Sequence, residues 1–438
     1  MIFYDASNKE FLTKLTEGRK LICYGCGQEW KRAVKKLNLY PWLSYMIDND
    51  KRKVEIRFPD DMIRQFSCYC STELAKEIKS NEGQKYILLV TSIYWKQIVT
   101  DLKNQSVFED IEIYIWPLME VTGVSYEERY ENRIINPAKK YYEKLLTFQG
   151  ISPEKRSQMI EQKMRFMCEK GADGKLLNLV IPKIVFFLTT RCTLRCKECT
   201  ALIPQFKNQV DIVVEQVIDD IEKVLEAVDE VIYVQLAGGE SLLYPEFENI
   251  LNYLIYHDKV LGITFVTNAT ITPSERILKL LENPKVYITI SDYGNLDNLY
   301  NIVSLFEKRE IAFELMPNMI WQKVGGTEYR NKELPQLKFE YLRCGNGMGC
   351  KMVENGYLHI CDRSARMFML NQFESTHDYT SLLCEVNERK ERIRDIYMAD
   401  YADACNHCDY ANVDTEKIEP AEQIGKQLRK SAYTIVKR

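Results

Sequence analysis

Fourteen cysteines are distributed unevenly over 438 residues, and their grouping is the strongest chemical signal in the sequence. Cys192, Cys196 and Cys199 stand in the pattern Cys-x3-Cys-x2-Cys. Cys344, Cys350, Cys361, Cys384, Cys405 and Cys408 gather towards the C-terminus, while Cys23, Cys26, Cys68, Cys70 and Cys168 are scattered earlier. In a reducing compartment such a count points to metal, redox or catalytic work rather than to disulfides. Three thiolates spaced like the first group can face a single cube of iron and sulfide. Such cubes are ordinarily held by four thiolates, so three leave one iron open to chelate a substrate or cofactor. Zinc is the competing reading, but it favours paired Cys-x2-Cys units and tetrahedral closure, and the triplet has no local fourth ligand.

Cys344, Cys361, Cys405 and Cys408 form a second plausible set of four, with Gly356 ahead of Cys361 and Cys405-Asn-His-Cys408 closing it. Four thiolates also satisfy zinc, so both metals stay open there. Cys350 and Cys384 are left over. Cys350 has three readings: a substitute for Cys344, a hydrogen donor to a substrate radical, or a core residue. Burial is the expectation for both, because free cysteines are among the most buried residues. His359 and His407 lie beside these ligands and are expected as neighbours of the metal group, not ligands.

The elements that must position these groups can be read from periodicity. At roughly 150 residues per domain the length suggests two to four domains. Residues 1–117 alternate short apolar strands (20–24, 43–47, 85–90, 112–115) with helices, as a parallel sheet covered on both faces requires. Gly25-x-Gly27 after the first of these, with Asp48 further on, matches a nucleotide-binding turn in part. Trp30 takes the place of its third glycine, so a plain turn that binds nothing is the equal alternative. Residues 118–180 are rich in helix formers, broken at 171–174 by Gly and Asp, and are read as a helical connector. From 181 to 325 a second alternation runs through strands near 184–188, 231–236, 262–266, 286–290 and 311–315. Repeated βα units suggest a full or partial barrel whose working residues sit at the C-terminal ends of the strands. Residues 326–415 carry the later cysteines. Residues 416–438 are read as a C-terminal helical tail whose basic, amphipathic part, Lys426–Arg438, is expected to be a solvated helix, with docking of a partner as the alternative.

The cysteine triplet follows the first barrel strand, and there it resembles the signature of the radical S-adenosylmethionine (radical SAM) enzymes. Gly238-Gly239-Glu240, Thr267-Asn268 and Ser291-Asp292 follow the next three strands and resemble that family's positions for the amine, ribose and carboxylate of the cofactor. Glu198 departs from the aromatic residue usual before the third cysteine. The resemblance implies that Cys192, Cys196 and Cys199 hold a [4Fe–4S] cluster whose open iron chelates S-adenosylmethionine. It also implies that a 5′-deoxyadenosyl radical abstracts hydrogen from substrate. The Cys…Gly-x4-Cys…Cys-x2-Cys arrangement resembles the twitch module, the shorter relative of SPASM, which implies an auxiliary [4Fe–4S] cluster on Cys344, Cys361, Cys405 and Cys408. The first 117 residues resemble the Rossmann-like domain attached to sugar-modifying and capsule-building enzymes.

The fold class expected is therefore α/β: an N-terminal Rossmann-like parallel sheet, a radical SAM partial (β/α)6-type barrel, and a small C-terminal twitch-like iron–sulfur domain. The expected activity is net oxidation of a carbohydrate or nucleotide-linked sugar, the auxiliary cluster taking the second electron. Epimerisation, maturation of a ribosomal precursor peptide and a non-catalytic iron–sulfur scaffold are the alternatives. The resemblance also implies an external one-electron reductant of flavodoxin or ferredoxin type. A net charge of −4 supplies no basic field for nucleic acid. The longest apolar runs fall far short of the ~20 residues a membrane span needs, and the first residues lack a signal-peptide pattern. A cytoplasmic protein is expected.

Overall fold

A computed structural model describes residues 2–3, 8–48, 55–57, 63–65, 68–81, 83–120, 125–293, 298–316, 320–324, 326–373, 375–412 and 415–425. Two compact units emerge: Met1–Tyr126 with Glu333–Phe339, and Glu127–Lys332 with Glu340–Arg438.

The first unit has a short antiparallel pair, Glu55–Arg57 with Ile63–Gln65, and is built on one six-stranded sheet: β1 (Ile2–Phe3), β2 (Lys20–Tyr24), β3 (Leu43–Ile47), β4 (Cys68–Tyr69), β5 (Tyr86–Val90) and β6 (Glu112–Ile115). Their order is β1-β6-β5-β2-β3-β4, and every pairing is parallel. Leu21–Tyr24 and Tyr86–Val90 are buried without alternation, as strands covered on both faces must be. Helix Gln28–Leu37 turns Trp30, Ala33, Val34 and Leu37 inward at helical spacing. The chain winds outward from β2 in both directions, so the Gly25 turn lies where successive connections part. Gly25 has φ +101°, and a Cβ there would sit 2.9 Å from the Thr91 carbonyl oxygen. Asp48 Oδ2 accepts the Cys26 N–H at 2.8 Å. Gly25 and Asp48 thus both serve the closure of the turn itself.

The second unit carries the cysteines. Its strands are β7 (Val180–Thr189), β8 (Glu230–Gly238), β9 (Val260–Thr267), β10 (Val286–Ser291), β11 (Phe313–Met316), β12 (Trp321–Gln322), β13 (Lys351–Glu354), β14 (Tyr357–His359), β15 (Tyr379–Ser381) and β16 (Lys417–Ile418). One eight-stranded sheet runs β11-β10-β9-β8-β7-β13-β14-β15, parallel as far as β13 and antiparallel beyond it. The five strands expected from periodicity are all present. The sixth parallel position lies on the free edge of β7 and is filled by β13, from the stretch expected to be a separate small domain. The later cysteines therefore hang from the same sheet as the first three.

Helix Val214–Ala227 covers the sheet with Val217, Ile221, Val224 and Leu225. The helical stretch before the sheet adds its own share of this core. Helix Asn136–Phe148 buries Ala138, Tyr142, Leu145 and Leu146, with Phe148 stacked on Tyr287 at 4.9 Å between ring centres. The expected C-terminal helix is not found between 416 and 425. There β16 pairs antiparallel with β12, and Ala421 adopts φ +53°. Pro420 has no N–H to continue a helix, and extended pairing satisfies the neighbouring backbone groups instead. Residues 426–438 lie outside the described residues.

Asp220 holds the turn between β13 and β14: its Oδ1 accepts from Gly356 N at 2.8 Å and from Gln216 Nε2 at 2.9 Å. Burial pushes its carboxyl up to about 6. The folded chain keeps this proton up to about pH 6, whereas an unfolded aspartate releases it near pH 4. Stability is therefore lost as pH rises through that window, by about 3 kcal/mol in total. Asp220→Asn keeps the one oxygen both donors use. It is predicted to be more stable than the parent at pH 7–8, with the gain vanishing below about pH 4. Urea unfolding across pH checks this; an equal difference at both ends would refute it.

Candidate active site

The loops at the C-terminal ends of β7 to β10 converge, and short polar contacts hold them. Thr189 Oγ1 donates to Asp211 Oδ1 at 2.6 Å, and Arg191 Nε donates to the same oxygen at 3.0 Å. This anchors the start of the loop carrying Cys192, Cys196 and Cys199. The segment after β8 lies directly against that loop: Gly239 N donates to Thr189 O at 2.9 Å and Glu240 N to Arg191 O at 2.8 Å. A Cβ on Gly238 would stand 2.6 Å from the Thr189 oxygen, and one on Gly239 would stand 2.3 Å from the Arg191 oxygen. These glycines were expected to let backbone approach a ligand. What fills the missing Cβ space is the cysteine loop's own backbone.

Glu240 is almost fully buried and works as a bracket. Its Oε2 accepts from Asn268 N at 2.9 Å and its Oε1 from Leu242 N at 3.3 Å, and Thr267 hydrogen-bonds to it as well. Burial raises its pKa, against these hydrogen bonds. Asn268 then donates to Thr193 Oγ1 at 3.1 Å and points Nδ2 at the Cys192 sulfur at 3.8 Å. Strand ends, glycine segment and cysteine loop are one connected unit.

A cavity of about 630 Å³ opens over this unit. Cys192, Cys196, Cys199, Gly238, Gly239 and Asn268 all line it. Among the described lining residues Ser291 and Asp292 do not appear; their neighbour Tyr293 does, hydrogen-bonded to Ser291. Tyr293 meets Trp321 edge-on at 5.5 Å between ring centres, and Trp321 is also part of the wall. Burial pushes the thiols of Cys192 up to about 11 and Cys199 up to about 12, and raises Cys196. Protons therefore compete strongly for these sulfurs, and a metal must displace them. N–H groups nevertheless aim at each: Leu194 N at Cys192 (3.4 Å), Gln423 Nε2 at Cys196 (3.1 Å), and backbone of the 201–203 turn at Cys199.

The second cysteine set comes together too. Cys344, Cys361, Cys405 and Cys408 line one small cavity with Tyr341, Asn346, Asp362 and Tyr410. Cys344 and Cys361 each cap a helix, accepting from Gly347 N at 3.3 Å and Ser364 N at 3.4 Å. Cys408 accepts from Tyr410 N at 3.4 Å. Burial holds Cys361 and Cys405 well above the usual thiol range and pushes Cys344 up to about 11. The buried Lys351 ammonium donates to Tyr341 Oη at 2.6 Å and the Ile360 carbonyl at 3.1 Å, and it interacts electrostatically with Cys361 and Cys344. Asp378 receives the N–H groups of Asp403 and Ala404, each at 2.7 Å, and so holds the turn that bears Cys405.

At about 2.3 Å per Zn–S bond, sulfurs on one zinc lie within about 4.6 Å of each other. Among the described residues the group whose ligand atoms all lie within 4.8 Å is His377, Asp378 and Asp403; neither cysteine set is so tight. Wider spacing suits a cube of iron and sulfide. His359 packs against Phe368 and Tyr379 rings, and His407 Nδ1 pairs with the Thr327 carbonyl oxygen at 2.6 Å. Cys350, expected in the core, is only partly buried and lines the larger cavity, hydrogen-bonded to Lys183. Cys384, also only partly buried, points its sulfur at the Ser381 carbonyl oxygen at 3.8 Å.

Residues 186–297 match the model of the Radical SAM superfamily. This stretch is a radical SAM domain. Its cofactors are a [4Fe–4S] cluster and S-adenosylmethionine. No curated protein matches the sequence. Solved structures similar to the chain include native anSMEcpe with bound AdoMet and a Cp18Cys peptide, at 14% identity and TM-score 0.33, covering 50% of this chain and 81% of that one. BtrN in complex with AdoMet and 2-DOIA follows at 13% identity and TM-score 0.34, covering 51% and 85%. SuiB from Streptococcus suis bound to S-adenosylmethionine has 16% identity and TM-score 0.28, covering 38% and 40%. Likenesses this distant carry no argument about activity. Among the described residues no helix is long and apolar enough to cross a membrane. Tyr293, Trp321 and Gln423 of the radical SAM site escaped sequence reasoning. Tyr293 stands three residues past a predicted strand end, a signal that could have found it.

Proposed function

We propose that this radical SAM enzyme oxidises a carbohydrate or nucleotide-linked sugar in the cavity between its two cysteine sets. The observation that carries the reading is continuity: Thr200, Val324, Asn346, Asp362 and Tyr410 line both the large cavity over the first set and the small cavity of the second. Cys192, Cys196 and Cys199 would hold the first cluster, and Cys344, Cys361, Cys405 and Cys408 an auxiliary one in a twitch-like extension. When bound, the first cluster with S-adenosylmethionine supplies a 5′-deoxyadenosyl radical that abstracts hydrogen, and the second, closed by four thiolates, supplies a sink for the remaining electron.

The chain's own residues do the rest. Val185, Phe187, Val266 and Met352 give the cavity an apolar wall that limits water. Gln235, Gln322 and Asn346 offer amides, and Tyr293 and Trp321 offer the aromatic surface that Glu198 cannot, a combination suited to a hydroxyl-rich ring. Glu198 and Asp362 are the cavity's carboxylates among the described residues. Asp362, shared with the second cavity, is the better placed to take the proton when a hydroxyl becomes a carbonyl. The Rossmann-like first unit would serve the same sugar-modifying role, and a flavodoxin- or ferredoxin-type protein would deliver the electron.

Anaerobic reconstitution should load about eight iron atoms per chain, and reductant with S-adenosylmethionine should yield 5′-deoxyadenosine. Cys405→Ala/Cys408→Ala should retain about four. Loss of zinc instead would defeat the auxiliary assignment, and an iron-replete sample that makes no 5′-deoxyadenosine would leave only a scaffold. Turnover of a precursor peptide but of no sugar would move the substrate class.

A further inference from the structure

The segment 415–425 lies far from the cysteine loop in sequence but is laid along it. Lys197 N donates to Glu422 O at 2.7 Å, and Ile424 N donates to Arg195 O at 2.8 Å. Cys196 and Gln423 form an antiparallel bridge between these two bonds. Within the bridge the buried Gln423 side chain touches the loop twice. Its Oε1 accepts the Arg195 N–H at 2.5 Å, and its Nε2 donates to the Cys196 sulfur at 3.1 Å. Nε2 also donates to the Ala421 carbonyl at 2.7 Å. The Arg195 N–H can only meet the amide oxygen, so the amide cannot turn over, and its NH2 group must face the sulfur. The segment is pinned at its other end by β12 and β16, whose Trp321, Gln322 and Lys417 line the large cavity.

We propose that Gln423 is a positioning residue for the first cluster, holding the Cys196 sulfur in place and donating a hydrogen bond to it. This inference rests on the reading of Cys192, Cys196 and Cys199 as the cluster's ligands. Cys196 is buried, and a donor at 3.1 Å from its sulfur is charge-assisted once iron has displaced the proton. Hydrogen bonds to cluster sulfurs stabilise the more negative, reduced state and so raise the reduction potential. Gln423→Leu keeps the bulk and removes both contacts. Gln423→Glu keeps the acceptor for Arg195 but sets negative charge against the sulfur.

The test compares the reconstituted full-length parent with both variants. It reads iron content and the midpoint potential of the cluster whose electron paramagnetic resonance signal changes when S-adenosylmethionine is added. The expected result is full iron in all three, with the potential falling from parent to Gln423→Leu and further in Gln423→Glu. Equal potentials in the three proteins overturn the proposal. Failure of both variants to take up iron overturns it as well, since Gln423 would then serve only the fold of the loop. A parent protein with no S-adenosylmethionine-responsive cluster would instead sink the underlying ligand assignment.

Discussion

With the two cysteine sets holding clusters as proposed, replacing Gly239 with Ala is expected to empty the first iron–sulfur site while sparing the second. The added Cβ would lie 2.3 Å from the Arg191 oxygen and 2.8 Å from the Cys192 Cβ, which no side-chain rotation can relieve. The only escape is to push the cysteine loop away from β8, and that loop is also tied to Glu240 and Asn268. Overpacking of this kind costs roughly 1–3 kcal/mol, and more where backbone must move. Iron should fall from about eight to about four atoms per chain, with 5′-deoxyadenosine formation lost. Gly27→Ala is the control, because nothing lies within 4 Å of a Cβ there. Retention of full iron by Gly239→Ala would show that the loop can yield without losing its metal.

Arg366→Met should produce the largest loss of stability. Arg366 is wholly buried, forms an ion pair with Glu354, points at the sulfurs of Met352 (2.9 Å) and Met369 (2.7 Å), and stacks over the Phe187 ring at 3.6 Å. Even so, burial outweighs the guanidinium and pushes the Glu354 carboxyl up to about 7. Removing Arg366 strands that carboxylate, and breaking a buried pair from one side costs about 3–5 kcal/mol. Because Glu354 titrates above its unfolded value, stability already falls as pH rises towards 7. Without Arg366 its pKa climbs further, so the variant should lose more stability at pH 8 than at pH 6. Glu354→Gln/Arg366→Met should recover a large part of the loss. Denaturant unfolding of both variants at the two pH values reads all of this, and a single variant indifferent to pH would refute the account. Phe187 also lines the active-site cavity, so weaker S-adenosylmethionine binding is expected alongside.

What could be read in advance was local. The cysteine triplet is visible because three ligands to one cube must sit on one short loop, and the glycine pair because a missing Cβ is a residue type. The central strands of both sheets are visible because burial on two faces makes unbroken apolar runs, whereas the short outer strands β1, β4, β14 and β15 are not. Long-range closure left no such trace. β13 reads as part of a separate module, yet its edge completes the sheet beside β7, a choice made by pairing geometry rather than composition. Gln423 is an ordinary amide in an acidic stretch expected to be helical, where Pro420 and the open edge of the cysteine loop impose extended pairing instead. Trp321 reaches the cavity on the β12–β16 pair and Cys350 just before β13, placements set by strand pairing far away in sequence. Arg366 has the sequence signature of a surface residue; a partner carboxylate twelve positions earlier, a ring from another strand and two methionine sulfurs keep it inside.

The bridge between Cys196 and Gln423 joins positions 227 apart, which bears on how the enzyme is made. While the ribosome is still elongating, the nascent loop has its three cysteines but not the segment whose backbone pairs with Arg195 and Lys197 on either side of the middle one. Iron delivered at that stage would meet an unfinished cradle. Insertion into this centre should therefore lag behind translation, and a stalled chain ending before residue 415 should bind its iron weakly, however well its barrel has folded.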